Sequence, residues 1–366
     1  MLSPRRAAHF LLTPELADSP PNDTLIRAYR ELGLEIDLYA PGDGRFRHSH
    51  GDGVRTFSVE YGYRWLARHA LRPAWRRYAV FSGTAEDPIA VVRTLAASHR
   101  RPAVALVDEI KAGSYRGDAR ESWKRLCRSG IRRADVVIVN DASRIDLLRD
   151  YAGLAATREI LVYPGSYLEP PAAVDRRSQR QVWNLPTESL VVASSGGFNF
   201  SMGADWLVDA VQALPELHAV IQPLGVDPLV KYLLPRLRSA ERLYVEPSRL
   251  GWRQAWAQAA ACDIGMAIYL SAAPQFQHMG TSSNRLCMFL AMGVPVIASR
   301  QESFRFLEEY DCGLLVETSR EFAAAVGTIA SRLETMKANA RRCWAEHVCT
   351  AKRYRALVGA IGASLR

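Results

Sequence analysis

The sequence predicts an α/β protein built from two doubly wound, parallel-sheet domains in tandem. Three observations carry this. Short apolar runs of strand character alternate with helical segments almost throughout. The alternation breaks off once, between Pro164 and Ser189, in a stretch rich in Pro, Arg and Ser, and then restarts. The chain has 366 residues, too long for one typical core; two domains of roughly 150–200 residues accommodate it.

In the first half, Ala8–Leu12 reads as a strand, Asp23–Leu32 as a helix and Glu35–Tyr39 as a strand. Tyr78–Ser82, Val104–Val107, Asp135–Val139 and Ile160–Tyr163 are further strands, separated by helices at Pro88–Ser98, Ala119–Ser129 and Ser143–Tyr151. Pro164–Ser189 has no clear period beyond a turn at Gln179–Trp183 and reads as an interdomain linker. The second half starts with a strand at Leu190–Ser194 and a helix at Trp206–Leu214. Strands at Ala219–Pro223, Leu243–Glu246 and Ile264–Tyr269 alternate with helices at Pro228–Leu237 and Arg253–Ala261. A helix-strand unit over Thr281–Ser299, a strand at Gly313–Val316 and long helices over Glu321–Val358 complete it. The expected boundaries are residues 1–166, a linker at 167–189, a second domain at 190–345, and a terminal helix at 346–366 packing back on the first domain. Ligands of such sheets sit at the carboxyl ends of the strands, here in a cleft between the domains.

Bulk properties narrow the function. No apolar run approaches the roughly 18 residues that a membrane span needs. Arg5 and Arg6 precede only a short run, His9 to Leu12, which reads as the first strand and not as a leader. The six cysteines form no CxxC pair and lie mostly in apolar segments, as buried thiols of a reducing cytoplasm would. No metal site is expected. The formal charge of +9 is uneven: residues 1–180 hold 29 Lys+Arg against 22 Asp+Glu. A basic half suits an anionic partner such as a phosphorylated substrate, a membrane surface or a nucleic acid, and an arginine-rich proteome would give the same excess. No nucleic-acid motif accompanies the arginines, so nucleic acid is not the expected partner.

The segment from Thr281 to Ser299 is the most informative. Thr281, Ser282, Ser283 and Asn284 are all good helix N-caps, and Arg285 sets a fixed charge in the first turn. The apolar residues Leu286, Met288, Phe289, Leu290 and Met292 follow, Gly293 ends the helix, and Val294–Ala298 is a buried strand. Free N–H groups beside an arginine suit a phosphate or diphosphate; a satisfied N-cap in an ordinary helix-strand unit is the equal alternative. Ser195-Gly196-Gly197-Phe198-Asn199 offers a glycine-rich approach after the first strand of the second half. It is not GxGxxG, and the first half has Thr13-Pro14-Glu15-Leu16 at the same point, so a dinucleotide enzyme has little support.

With these residues in place, the chain resembles glycosyltransferases of the GT-B fold. Arg132 to Asn140 looks like the last helix-strand step before that family's linker. RLGWRQAWAQAAACDIGMAIY, from Arg249 to Tyr269, looks like the helix and strand before the donor loop. SSNRLCMFLAMGVPVIAS is similar to the SSxKLxxYxxxGxPV stretch that holds a nucleotide-sugar diphosphate. Many retaining members carry two glutamates eight positions apart, and Gly280 and Met288 stand there here. Those members also place a lysine before a glycine after the first C-terminal strand, where this chain has Met202 and Gly203. The likeness is closer to inverting xanthan-type glucuronosyltransferases, in which a Tyr-x-Ser strand end and an SSxK helix start follow as Tyr269-Leu270-Ser271 and Ser282-Ser283-Asn284-Arg285 do here, after a strand ending in glutamate as at Glu246.

The resemblance implies a glycosyltransferase, inverting and metal-independent, with no cofactor beyond the nucleotide-sugar co-substrate and a saccharide or lipid-linked saccharide as acceptor. The donor would be held by Gly197, Phe198, Asn199, Glu246, Tyr269, Gln275, His278, Thr281, Ser282, Ser283, Asn284, Arg285 and Met288. Arg285 and the amides of Ser282 to Arg285 would relieve charge on the departing diphosphate. A general base on the acceptor hydroxyl should come from the first domain. Asp108 and Glu109, after Val104–Val107, are the first candidates and Asp23 the next; Asp23 equally suits a helix-start charge. Tyr61 to Tyr78 mixes Trp65, Leu66 and Trp75 with Arg64, Arg68, Arg72, Arg76 and Arg77. That mixture suits an anionic membrane interface, at the inner face of the cell membrane, or else a surface helix whose tryptophans pack inward. Two competing readings stay open: a nucleotide-sugar epimerase on the same fold, and a binding subunit without activity.

Overall fold

The computed structural model describes residues 5–42, 53–110, 121–226, 235, 242–348 and 351–366. Two units emerge, one from Met1–Leu168 with Thr350–Arg366, the other from Glu169–Cys349.

The first unit holds a sheet of seven strands: β1 Arg6–Phe10, β2 Glu35–Ala40, β3 Val54–Ser58, β4 Tyr78–Thr84, β5 Ala103–Val107, β6 Val136–Val139 and β7 Leu161–Val162. Their spatial order is β3-β2-β1-β4-β5-β6-β7, and every pairing is parallel. β1, β4 and β5 are buried along their whole length, as a sheet covered on both faces requires. Helices Pro20–Glu31, Glu86–His99, Glu121–Arg133 and Ile145–Ala152 connect them. The terminal helix Ala351–Ser364 lies against helix 20–31: Leu357 and Ile361 join the cluster around Leu25, and Tyr354 donates to Glu31 over 2.7 Å.

β3 was not anticipated. Val-Arg-Thr-Phe-Ser lacks an apolar alternation, and its residues are half-buried or exposed. It is an edge strand set by pairing with β2, from Ile36 opposite Val54 to Ala40 opposite Ser58. At the amino ends of these strands the fully buried Asp37 receives Arg6, Arg55 and the Tyr78 hydroxyl, with Arg77 at 3.3 Å. Burial alone would raise this carboxyl; the bonds from Arg55, Tyr78 and Arg6 hold it below its ordinary value. Part of the basic excess of the first half is therefore consumed inside the fold.

The second unit holds six parallel strands: β8 Leu190–Phe198, β9 Leu217–Val226, β10 Leu243–Val245, β11 Ile264–Ala267, β12 Val296–Ser299 and β13 Gly313–Val316. The order is β10-β9-β8-β11-β12-β13. Helices Ala204–Ala213, Trp252–Ala259, Asn284–Ala291, Ser319–Ser331 and Leu333–Cys343 cover it, with a π-helical turn at Trp344–Val348. The helix expected at Pro228–Leu237 lies outside the described residues, Pro235 apart. Helix 284–291 approaches β11 closely because Gly265 has no side chain: a Cβ there would stand 2.3 Å from the Phe289 ring. Leu286, Cys287, Phe289 and Leu290 are fully buried against that face, each large side chain contributing about 1.5–3 kcal/mol.

The expected linker is not a free tether. Asp175 caps a helix at Arg176–Val182 through the Ser178 amide. The fully buried Arg180 on that helix donates to Asp263, Ala261, Thr187 and Ser189. Asp263 also receives Arg176 and the Val191 amide; burial would raise its carboxyl, and Arg180 and Arg176 hold it low. The helix thus fastens the start of β8 to the second unit.

Candidate functional site

In each sheet the strand order reverses once, at β1/β4 in the first unit and β8/β11 in the second. A reversal of this kind leaves a crevice at the carboxyl ends of the strands. At β8/β11 the crevice is built by three segments.

The first is the end of β8. The strand does not stop at Ser194 but runs on to Phe198, with a register shift against β9 between Gly196 and Phe198. Gly196 sits at φ +95°, and a Cβ on it would lie 3.0 Å from Arg285 Nη2. Only glycine meets both conditions. The second segment follows β11. The Tyr269 amide donates to Ser299 Oγ over 3.2 Å, and the Leu270 amide to the Ser201 carbonyl over 2.8 Å. The third is the start of helix 284–291. Ser283 is its N-cap, accepting from the Leu286 amide over 3.2 Å and meeting the Tyr269 hydroxyl at 2.6 Å.

Arg285 joins all three. It is 9% exposed, donates through Nη2 to the Gly197 carbonyl over 3.0 Å, and its guanidinium stands 5.5 Å from the Tyr269 ring centroid. That ring contact is a cation–π contact. Its Nη1 is buried with no hydrogen-bond partner among the described residues, and so is Asn284 Oδ1. A buried, unmatched donor on a fixed cation is costly, about 1–3 kcal/mol or more. Such a group fits an anion with several acceptor oxygens.

The amides proved narrower than expected. Ser282 N donates to Met279 O and Ser283 N to Gly280 O within a 3-10 turn at Gly280–Ser282. The helix geometry leaves Asn284 and Arg285 at its first turn without intrahelical acceptors. Two further expectations are corrected. Phe198 is 1% exposed and packs in the core of the second unit, because the irregularity at Gly196 turns its side chain inward. Met288, 2% exposed, sits on the buried face of its helix.

The remaining donor candidates are more scattered. Asn199 receives the Ser201 hydroxyl over 2.8 Å and caps the turn Phe200–Met202. Glu246 follows β10 and is bound back by Tyr244 and Ser248. Gln275 is buried in the short helix Pro274–Gln277, His278 is exposed, and Thr281 is buried with its carbonyl accepting from Cys287. Sequence reasoning missed the brace of this loop. Gln301 donates to Ser299 and to the Phe276 carbonyl, and Ser303 receives the Gly280 amide over 3.1 Å. Polar residues just past the end of β12 were the available signal.

In the first unit, Asp108 and Glu109 stand at the carboxyl end of β5 as expected. Asp108 is half-buried, accepts from the Glu109 amide over 3.0 Å, and its carbonyl accepts from the buried Arg144 over 2.7 Å. Burial, with the Glu109 charge second, pushes its carboxyl up to about 7. Glu109 is exposed. Asp23 lies in the first turn of helix 20–31 and pairs with Arg27 at 3.5 Å. Tyr61 to Tyr78 forms a helix at Tyr63–His69 and a turn at Pro73–Arg77. Trp75 is buried and Trp65 half-buried against the core, while Arg64, Arg68, Arg72, Arg76 and Arg77 are exposed. Trp75 thus faces inward, whereas Trp65 is shared between the core and the surface. No helix among the described residues is long and apolar enough to cross a membrane, and no cluster of metal-ligating side chains occurs among them.

No family model and no curated protein matches this sequence. Solved structures do. A sucrose-phosphate synthase from Thermosynechococcus elongatus is 16% identical and superposes with a TM-score of 0.76 over 99% of both chains. HepE of Anabaena, in complex with UDP-glucose, is 18% identical with a TM-score of 0.75 over 98% of this chain and 99% of that one. The chain has the GT-B fold. A Listeria monocytogenes protein described as a UDP-N-acetylglucosamine 2-epimerase is more remote, at 8% identity and a TM-score of 0.62.

Proposed function

We propose that this protein is a glycosyltransferase that moves a sugar from a nucleotide diphosphate sugar to a saccharide or lipid-linked saccharide acceptor, with inversion. The observation that carries the reading is the unmatched Nη1 of the buried Arg285, at a helix start on the carboxyl side of the sheet. The GT-B neighbours, one of them complexed with UDP-glucose, support a nucleotide-sugar donor.

The chemistry follows from charge. The acceptor hydroxyl gives its proton to the Asp108 carboxylate, and its oxygen forms the new bond to the anomeric carbon. The bond from that carbon to the phosphate oxygen breaks, and its electron pair leaves with the diphosphate. Arg285 and the first-turn amides of Asn284 and Arg285 meet the charge that develops, so the reading needs no metal. A base poised near neutral pH suits Asp108, whose carboxyl burial pushes up to about 7. Glu109, exposed beside it, is assigned the lesser part of keeping that carboxyl high.

The test is incubation with UDP-, GDP-, CMP- and TDP-sugars, following nucleotide release with and without saccharide acceptors. Acceptor-dependent release is the expected result. Epimer formed without acceptor would assign the epimerase reading, and tight nucleotide binding without turnover the binding-subunit reading.

A further inference from the structure

A cavity of about 410 Å³ opens beside the carboxyl end of β3, lined among others by Ser58, Glu60, Arg64, Trp65, Arg68 and His69. Its size falls in the roughly 300–1,000 Å³ span of small-molecule sites. The aromatic wall is fixed. Trp65 stacks on His69 with centroids 4.6 Å apart and meets Trp75 edge-on at 6.0 Å. His69 Nδ1 is bonded to the Trp65 carbonyl over 2.8 Å, and the Trp75 indole donates to the His69 carbonyl over 2.7 Å.

Arg64 and Arg68 are one helical turn apart on helix 63–69, a spacing at which like charges repel. Some exposed arginines of the fold are paired, as Arg305 with Glu302 and Arg332 with Asp311, and others, such as Arg125 and Arg177, have no ion pair among the described residues; what sets Arg64 and Arg68 apart is that both line one concavity. Arg64 and Arg68 have no ion pair with any described carboxylate, although Glu60 lines the same cavity. Two unmatched guanidinium groups, one carboxylate and an ordered indole in a concavity form a chemical pattern. Guanidinium forks match a carboxylate or phosphate in the plane, an indole face covers the apolar face of a ring, and a carboxylate accepts from hydroxyls.

We infer that this cavity binds a negatively charged sugar residue, with Arg64 and Arg68 on its anionic group, Trp65 against its ring and Glu60 on its hydroxyls. The assignment of that sugar to the acceptor rests on the proposed transferase activity; its binding does not. Ser58 is engaged by the Gly42 carbonyl and serves as rim.

The experiment is calorimetric titration of the full chain with digalacturonate, neutral galactobiose, glucose 6-phosphate and phosphatidylglycerol vesicles, with UDP as a separate ligand. Digalacturonate binds, galactobiose binds at least about tenfold more weakly, and raised salt weakens the first and spares the second. Glucose 6-phosphate in place of digalacturonate as the tighter ligand identifies a phosphate as the anionic group. Arg64→Ala and Arg68→Ala each lower digalacturonate affinity about tenfold and leave UDP affinity unchanged, since both side chains lie on the surface of the first unit. Arg68→Lys, which keeps the charge and loses the fork, falls between. Equal binding of galactobiose, or unchanged affinity in the double Ala variant, would overturn the inference. So would binding to vesicles alone, which would give the basic face to a membrane. Failure of every saccharide with intact UDP binding strikes this subsite and spares the donor site, whereas failure of UDP strikes the donor site.

Discussion

The two sheets reverse their strand order in the same way, yet the space at the reversal is filled differently. At β1/β4 the fully buried His9 engages Ser82 through Nδ1 at 2.8 Å and Asn22 through Nε2 at 2.9 Å. Thr84 donates to the same Asn22 oxygen over 2.5 Å, and the Asn22 amide donates to Ser19 over 2.9 Å. At β8/β11 glycine stands just before the strand end, and the polar group that arrives is Arg285, one nitrogen of which has no hydrogen-bond partner among the described residues. One fold position thus gives a closed polar network in one unit and an open one in the other. Topology marks both places where a ligand can sit; an unmatched buried donor distinguishes the second from the first.

The largest expected effect tests the acid-base half of the comparison. Asp108→Asn should lower turnover by about 10²–10⁴-fold with nucleotide affinity unchanged. In the unsubstituted protein the proposed transfer should speed up with pH to about 7 and then level off, because only the ionised carboxyl accepts a proton. Stability runs the opposite way. The folded carboxyl is raised from its ordinary 3.8 to about 7, so between these values the folded chain holds a proton that the unfolded chain has released. This group's contribution to stability therefore falls as pH rises through that window, and thermal melts of Asp108→Asn should lack the slope. Full turnover in the variant would remove Asp108 as base.

Next comes a pair of substitutions that should separate cleanly. Arg285→Ala should weaken nucleotide diphosphate binding about 100-fold while leaving the melting temperature unchanged or higher, since it removes a buried, partly unmatched cation. His9→Leu should do the reverse, with about 2 kcal/mol of stability lost because Ser82 and Asn22 lose their partner, and nucleotide affinity unaltered. Calorimetric titration and denaturant unfolding measure the two axes. A loss of stability without loss of binding in Arg285→Ala would make the second reversal structural like the first.

The sequence exposed what is decided locally. The start of helix 284–291 was legible because capping is a matter of a few adjacent residues, and β13 was read at Gly313–Val316, where it lies. β3 was illegible because β2, not its own pattern, makes it a strand. The extension of β8 to Phe198 depends on pairing with β9, and a shift of one residue there turned Phe198 from the crevice into the core. Arg285 could be singled out by type and position. Gly196 could not, since its requirement appears only once Arg285 is packed against it.

The smallest expected effect concerns Tyr269, which touches the open network twice. Its ring lies under the Arg285 guanidinium and its hydroxyl meets Ser283 Oγ at 2.6 Å. Tyr269→Phe keeps the ring and the cation–π contact and removes one hydrogen bond. Ser283 still accepts from the Leu286 amide, so the helix start stays capped. The loss should be about 1 kcal/mol, roughly fivefold in nucleotide affinity at most. Ser283→Ala removes the hydroxyl contact and the cap together and should cost more, by about 1 kcal/mol of stability. If Tyr269→Phe weakens nucleotide binding as far as Arg285→Ala does, the hydroxyl itself contacts the ligand, and the crevice at β8/β11 is centred on the tyrosine more than on the arginine. If binding is unchanged, the ring alone positions Arg285, and the hydroxyl belongs to the same kind of closed network as His9.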